Sequence, residues 1–238
     1  MEKILNVMMK STKSDNFRDF INHATIVDLE TRQRLFSSMC ENQGQPDANK
    51  TIYLISGGIA SGKSIIAYHL IKSLELAHLP YVSSDTYYKK YFYCDQSFEE
   101  GYDKARAHTD KMLFQFLQSD ASFVWETVLS KKKKETFLSN CVKEGYKIYT
   151  VFVGVEDCNI SCKRSDERAQ GDYHHIEYEF IKDRYEKSMQ SLKWIHKLSD
   201  IFIAVDNTEN PQVIYLKENG KVVTSNENNG WFNKYIKG

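Results

Sequence analysis

The stretch that most restricts this chain is Thr51-Ile-Tyr-Leu-Ile-Ser-Gly57-Gly58-Ile59-Ala60-Ser61-Gly62-Lys63-Ser64. It reads G-x-x-x-x-G-K-[ST], with a short β-branched and aromatic run before it. After it Ile66, Leu70, Ile71 and Leu74 fall on one helical face. Strand, loop and helix in that order are the context this motif requires. Gly57 and Gly62 permit backbone angles that a Cβ would hinder, so successive N–H groups can turn inward around a phosphate. The helix that follows adds unpaired N–H groups and the positive end of its dipole. Gly57, Gly58, Ile59, Ala60, Ser61, Gly62, Lys63 and Ser64 are therefore the expected nucleotide-binding residues. Lys63 brings positive charge to the β/γ-phosphates, and the Ser64 hydroxyl suits Mg²⁺.

Strands and helices alternate beyond the loop. Helical spacing covers 63–76, 103–117, 132–143, about 157–168 and 177–197. Strand-like runs cover 51–56, 80–83, 123–125, 147–153 and 200–205, and 213–217 with 221–224 flank Asn219-Gly220, a type I′ hairpin signal. The expected fold is α/β, a P-loop NTPase-type, mostly parallel sheet with helices on both faces. Residues 1–48 read differently, as a helical extension and connector. Phe17, Phe20 and Ile21 suggest one helix, and Ile26, Leu29, Leu35, Phe36 and Met39 another. A turn-rich stretch over 42–49 then leads into a second domain, 49–238.

Composition closes other routes. Lys plus Arg and Asp plus Glu both number 32 in 238 residues, which argues against a basic duplex-binding surface and so against a nucleic-acid partner. No apolar run approaches the roughly 18 residues of a membrane span, and no signal peptide is evident at the start. Cys40, Cys94, Cys141, Cys158 and Cys162 are odd in number and irregularly spaced, as expected for reduced thiols in cytoplasm.

The loop alone does not name a reaction. A guanine-selecting Asn-Lys-x-Asp element is absent, as is an apolar strand ending in Asp-Glu. An acid does end each of the next two strand-like runs, Asp85 after Tyr81-Val82-Ser83-Ser84 and Glu126 after Phe123-Val124-Trp125. One such carboxylate can take a proton from an attacking hydroxyl, and another can hold substrate or a metal-bound water. The competing use is as N-caps of the following helices. Arg164 and Arg168 lie four apart on one helix face and Arg184 follows, cations suited to the charge of a transferring phosphoryl group, with surface ion pairing as the alternative. The four-lysine run 131–134 reads as a solvated face, His174 and His175 lack a third metal ligand, and Tyr87, Tyr88, Tyr91, Phe92 and Tyr93 suit either a substrate ring or burial. Arg106 is a further candidate for a substrate phosphate.

These blocks resemble the zeta toxin and UDP-N-acetylglucosamine kinase family of P-loop kinases over roughly residues 51–210. The resemblance rests on 57–64, Ser84-Asp85, Glu126-Thr127-x-x-Ser130 and the stretch holding Arg164, Arg168, His174, Ile181, Arg184 and Tyr185. Asp206-Asn207 matches the family's closing motif. The chain departs from the family at Gln170-Gly171-Asp172-Tyr173-His174 and at Glu177, where the family usually has Gly-Gly-His and then Pro. The resemblance implies an ATP- and Mg²⁺-dependent kinase that phosphorylates the 3′-hydroxyl of a UDP-amino sugar. Asp85 would be the base, and Arg168 and Arg184, with Arg164 beside them, would grip the phosphoryl group. Glu126 and Thr127 would contact the sugar nucleotide, and Asn207 would join the nucleotide site. A small antitoxin protein is an implied partner. Two other readings stay open: a kinase for another small molecule (a different NDP-sugar, a nucleoside or an antibiotic), or a non-catalytic ATP-binding module in a protein assembly.

Overall fold

The computed structural model describes residues 28–93, 97–169, 175–225 and 229–237. The expectations for Phe17, Phe20, Ile21, Ile26, Cys94 and His174 lie outside the described residues. Seven strands form a mostly parallel mixed sheet, accompanied by helices. The chain divides into two compact units, one holding Met1–Asp47 with Ser64–Glu126, the other Ala48–Lys63 with Thr127–Gly238.

In the first unit helix α1, Leu29–Met39, starts where Asp28 accepts a hydrogen bond from Thr31 N at 2.8 Å. Its Phe36 and Met39 are buried, and Phe36 stacks on Tyr81 with ring centres 4.4 Å apart. Helix α2, Lys63–Ser73, is shorter than its apolar spacing suggests, because Glu75 adopts a left-handed φ of 56° and a 3₁₀ turn, Leu76–His78, follows. Strand β2, Tyr81–Val82, leads into the short helix α3, Ser84–Tyr87, and a π-turn over Tyr88–Phe92. Helix α4, Phe98–Gln118, begins five residues before the expected start at 103. Ser97 accepts from Glu100 N at 3.5 Å there, and Glu99 and Glu100 sit at the favourable end of the dipole. Strand β3, Phe123–Thr127, pairs parallel with β2.

The second unit opens with β1, Thr51–Gly57, buried along nearly its whole length, as a near-continuous apolar run requires. Helix α5, Lys132–Lys143, has the expected bounds, followed by β4, Lys147–Gly154, and α6, Cys158–Ala169. The single helix expected over 177–197 is two, α7 (Tyr178–Gln190) and α8 (Leu192–Leu198). They break at Ser191, whose hydroxyl donates to Ser188 O at 2.6 Å in competition with the helical ladder. Strands β5 (Ile201–Asp206), β6 (Gln212–Glu218) and β7 (Lys221–Ser225) complete the order β1-β4-β5-β6-β7. The first two of these pairings are parallel and the last two antiparallel. Asn219 and Gly220 turn the β6–β7 hairpin with φ of 47° and 79°, the positive pair that a type I′ turn needs.

A last helix, α9 (Gly230–Lys237), has no counterpart in the sequence reading. Asn229 builds it: Oδ1 accepts from Phe232 N at 3.0 Å while Nδ2 donates to Asp206 Oδ2 at 2.7 Å. Trp231, Phe232 and Tyr235 are buried, and Trp231 lies so close to β4 that a Cβ on Gly154 would come within 2.3 Å of its ring. Gly154→Ala should overpack this contact and destabilise the fold by about 1–3 kcal/mol, read as a lower urea midpoint with unchanged slope.

His196 of α8 bonds Tyr215 OH at 2.9 Å through Nε2, and its carbonyl accepts from the buried Lys217 ammonium. Burial first, then the Lys217 and Lys197 charges, lower its pKa to about 4 from the usual 6.5. The fold therefore holds His196 neutral while the unfolded chain protonates it. This stability is complete above about pH 6.5 and is lost as pH falls toward 4, an effect of about 1–2 kcal/mol after discounting for partial exposure. His196→Gln should flatten that part of the stability–pH curve in urea titrations.

Candidate active site

The phosphate loop lies in the second unit, between the end of β1 and the start of α2. Gly57 has φ 147°, and a Cβ there would stand 2.1 Å from Val153 O on the paired strand. Gly62 has φ 96°, and a Cβ there would stand 2.3 Å from Asn207 Nδ2. Neither position accepts a side chain without rebuilding the loop. Ala60 is left-handed at φ 54°, a conformation costly for a residue with a Cβ and of the kind held only where surroundings over-determine it. Asn207 donates to Ser61 O at 2.7 Å and so ties the end of β5 to the loop. Gly58 lies beneath Tyr185 of α7, whose hydroxyl donates to Val155 O and Glu156 O at 3.0 and 2.9 Å. Ile59 is half-exposed at the loop's edge. The buried Ser61 hydroxyl has no hydrogen-bond partner among the described residues. Lys63 is buried and donates to Gly58 O at 2.5 Å, which keeps its ammonium against the loop backbone.

The chain runs from Lys63 directly into Ser64 of the first unit, where the carboxylates lie. Ser64 Oγ donates to Glu126 Oε1 at 2.8 Å, and the Tyr81 hydroxyl donates to Glu126 Oε2. Glu126 is only 6% exposed, so both of its oxygens meet a donor in a place that water scarcely reaches. Burial, followed by the Glu126 charge beside it, pushes the Tyr81 phenol well above its usual range, so Tyr81 stays a donor. Asp85 differs. It is exposed in the first turn of α3, and the Tyr102 hydroxyl of α4 donates to its Oδ1. Neither acid caps a helix: Asp28 and Ser97 do that work elsewhere, and α3 has no side-chain cap bond. Arg106, expected near substrate phosphate, pairs with Asp103 at 2.8 Å and lies 4.5 Å over the Tyr102 ring.

The arginines belong to the second unit. Arg184 donates to Ser130 Oγ at 3.0 Å, which joins α7 to the segment after β3, and it lies 4.7 Å over the Phe180 ring. Arg164 donates to Thr208 O at 3.0 Å, just past Asn207. Burial, then the like charge of Arg168, lowers the Arg164 pKa. An anion beside that pair would relieve the repulsion. Arg168 is exposed and makes no hydrogen bond or ion pair among the described residues. Thr127 Oγ1 and Val128 O both accept from Lys134, so this lysine of the four-lysine run organises the strand end while Lys132 pairs with Glu135 in solvent. Tyr81 and Tyr102, the two phenols that donate to these carboxylates, escaped the sequence reading. The only trace of them there is the four-residue spacing of Tyr102 and Arg106 on one helix face.

Ser64 and Glu126 supply one alcohol and one carboxylate oxygen, a hard and sparse donor set of the kind Mg²⁺ takes when it keeps several waters. Among the described residues no group of three or more His, Cys, Asp or Glu could hold a metal by itself. No described helix is long and apolar enough to cross a membrane.

The family model for Nephrocystin 3, N-terminal, matches residues 30–159. Comparison with curated proteins gives no match. Among solved structures, the native AvrRxo1-ORF1:ORF2 complex superposes with a TM-score of 0.66 at 14% identity, over 87% of this chain and 70% of that one. A form of the same complex with ATP gives 0.62, also at 14% identity, over 83% and 67%. The PezAT chromosomal toxin–antitoxin system of Streptococcus pneumoniae gives 0.56 at 12% identity, over 89% and 90%. At these identities the likeness is one of fold, in keeping with the mostly parallel, helix-covered sheet expected from the sequence.

Tyr81→Phe removes one donor from the buried Glu126 carboxylate while keeping the ring that stacks on Phe36. It should cost about 1–3 kcal/mol of stability at neutral pH by urea unfolding.

Proposed function

The chain belongs to the Nephrocystin 3, N-terminal family, and within it we propose that this protein is an ATP-dependent phosphotransferase of the zeta-toxin kind, acting on a hydroxyl of a UDP-amino sugar. One observation carries the reading. The hydroxyl that ends the phosphate loop is hydrogen-bonded to the buried strand-end acid, Ser64 Oγ to Glu126 Oε1 at 2.8 Å. The link puts an acid against the hydroxyl suited to a metal, and a second, exposed acid follows strand β2 of the same unit.

ATP would supply the transferred phosphoryl group, with Mg²⁺ on its oxygens. The loop 57–63 would bind the phosphates through backbone N–H groups, with Asn207 holding the loop's shape and Lys63 its charge. Ser64 and Glu126 would hold the metal, Glu126 with Thr127 also bordering the sugar nucleotide. Asp85 accepts the proton that the acceptor hydroxyl loses, because it is exposed where Glu126 is buried and fully engaged. Arg164, Arg168 and Arg184 carry positive charge toward the phosphoryl oxygens. The zeta-toxin-like fold, the Glu126-Thr127-x-x-Ser130 block and the Ser130–Arg184 bond support the choice of acceptor. The solved neighbours are complexes of paired proteins, and an antitoxin-like partner for this chain follows from the same reading, as does a cytoplasmic place of action.

Mass spectrometry of UDP-N-acetylglucosamine incubated with the protein, ATP and Mg²⁺ should show one added phosphate. Asp85→Asn should cut the rate by about 10²–10⁴-fold with ATP binding retained. Product from another NDP-sugar, a nucleoside or an antibiotic alone would move the acceptor assignment. Unchanged turnover in Asp85→Asn would remove Asp85 from the chemistry, and no phosphate transfer to any acceptor would leave a nucleotide-binding module.

A further inference from the structure

An exposed aspartate on a one-turn helix is a poor base if left to itself. Its carboxylate samples several rotamers, and only those that aim a lone pair at the acceptor are productive. Here the sampling is curtailed. The Tyr102 hydroxyl donates to Asp85 Oδ1, whereas Oδ2 makes no hydrogen bond among the described residues. The donor is itself braced. The Tyr102 ring sits among Phe98 and Tyr88, with centres 5.4 and 5.8 Å away, and Arg106 lies 4.5 Å over it while anchored to Asp103 at 2.8 Å. A phenol packed in this way is a rigid arm, in contrast to the solvated carboxylate it reaches.

We propose that Tyr102, braced by Arg106, is the positioning residue that fixes the Asp85 carboxylate, occupying Oδ1 and leaving Oδ2 to take the acceptor proton. The role given to Asp85 rests on the phosphotransferase reading above; the tyrosine–aspartate contact does not. Tyr102 keeps its own proton for this task, since burial, and after it the Asp85 charge, raises the phenol well above its ordinary value. The Tyr102 phenol is faced by Asp85 from α3, by Arg106 from its own helix and by Glu126 from β3, and the Tyr81 phenol of β2 also feels the Asp85 charge. Among the described residues Tyr102 is the side chain that hydrogen-bonds Asp85, and Arg106 acts through the Tyr102 ring.

The test separates the contact from the chemistry. In the full-length protein labelled with ¹³C at tyrosine Cζ, the Tyr102 resonance should move as acid protonates Asp85, and it should stay in place over the same range in Asp85→Asn. In steady-state kinetics with ATP and UDP-N-acetylglucosamine, Tyr102→Phe keeps the braced ring and loses only the hydroxyl. We expect kcat to fall about tenfold, on the scale of one hydrogen bond to a charged group, with KM for ATP within about twofold. A Tyr102 resonance that responds identically in Asp85→Asn, or a Tyr102→Phe enzyme with the wild-type kcat, would overturn the inference and leave Asp85 as the base. Full turnover in Asp85→Asn would instead sink the role of Asp85 in transfer, while the resonance still reports on the contact.

Discussion

At the end of β1 the backbone passes closer to the neighbouring strand than any side chain allows. With Val153 O 2.1 Å from where a Cβ on Gly57 would be, only glycine lets β1 stay in register with β4 and still turn outward. The course of the phosphate loop follows from that turn. It starts the loop that Asn207 fastens at Ser61 O, it brings Lys63 back onto Gly58 O, and it delivers Ser64 at the start of α2. A loop begun by any other residue would have to shift β1 or open the bend.

The two acids show how environment divides labour between like groups. Glu126 sits at the end of a buried parallel strand with a donor on each oxygen, so its charge is held in place by hydrogen bonds rather than by solvent. Asp85 stands in solvent with one oxygen engaged. A general base needs an accessible lone pair, which the exposed Asp85 offers and the buried Glu126 does not. Each acid is held by a tyrosine from a different element of the same unit, Tyr81 on β2 and Tyr102 on α4. Phenols suit the task because they present a donor that stays protonated across the physiological range and cannot compete as bases.

The sequence carried much of this, and where it fell silent the reason is physical. The loop was legible because its glycines, lysine and serine are dictated by local backbone geometry, as were the bounds of α5 and the positive-φ hairpin at Asn219-Gly220. The early start of α4 was also available, in Ser97 and Glu100 three residues apart. The break at Ser191 was hidden, since one serine in an amphipathic run usually turns its hydroxyl to solvent. Helix α9 was hidden too, because its cap depends on Asp206, which is 23 residues away in the chain. Partnerships such as Tyr102 with Asp85 and Arg184 with Ser130 join distant segments and leave no periodicity to read. Arg106 lies over the Tyr102 ring, four residues back on the same helix.

The segment before the phosphate loop takes on a different meaning in this light. Helix α1 stacks Phe36 on the Tyr81 ring at 4.4 Å, and the next residue past it, Cys40, donates its thiol to Tyr81 O at 3.3 Å. Both contacts fall on the residue whose hydroxyl holds Glu126. Lys90, from the π-turn after α3, donates to Ser37 O at 2.5 Å and pairs with Glu41 at 2.7 Å, so α1 also braces the stretch that follows Asp85. Helix α1 and the residues just after it thus supply packing to the strand and turn on either side of Asp85. Cutting the chain before the loop would therefore strip a wall from the acid site, and a loss of turnover in such a fragment would report a misplaced Tyr81 before it reported anything about control.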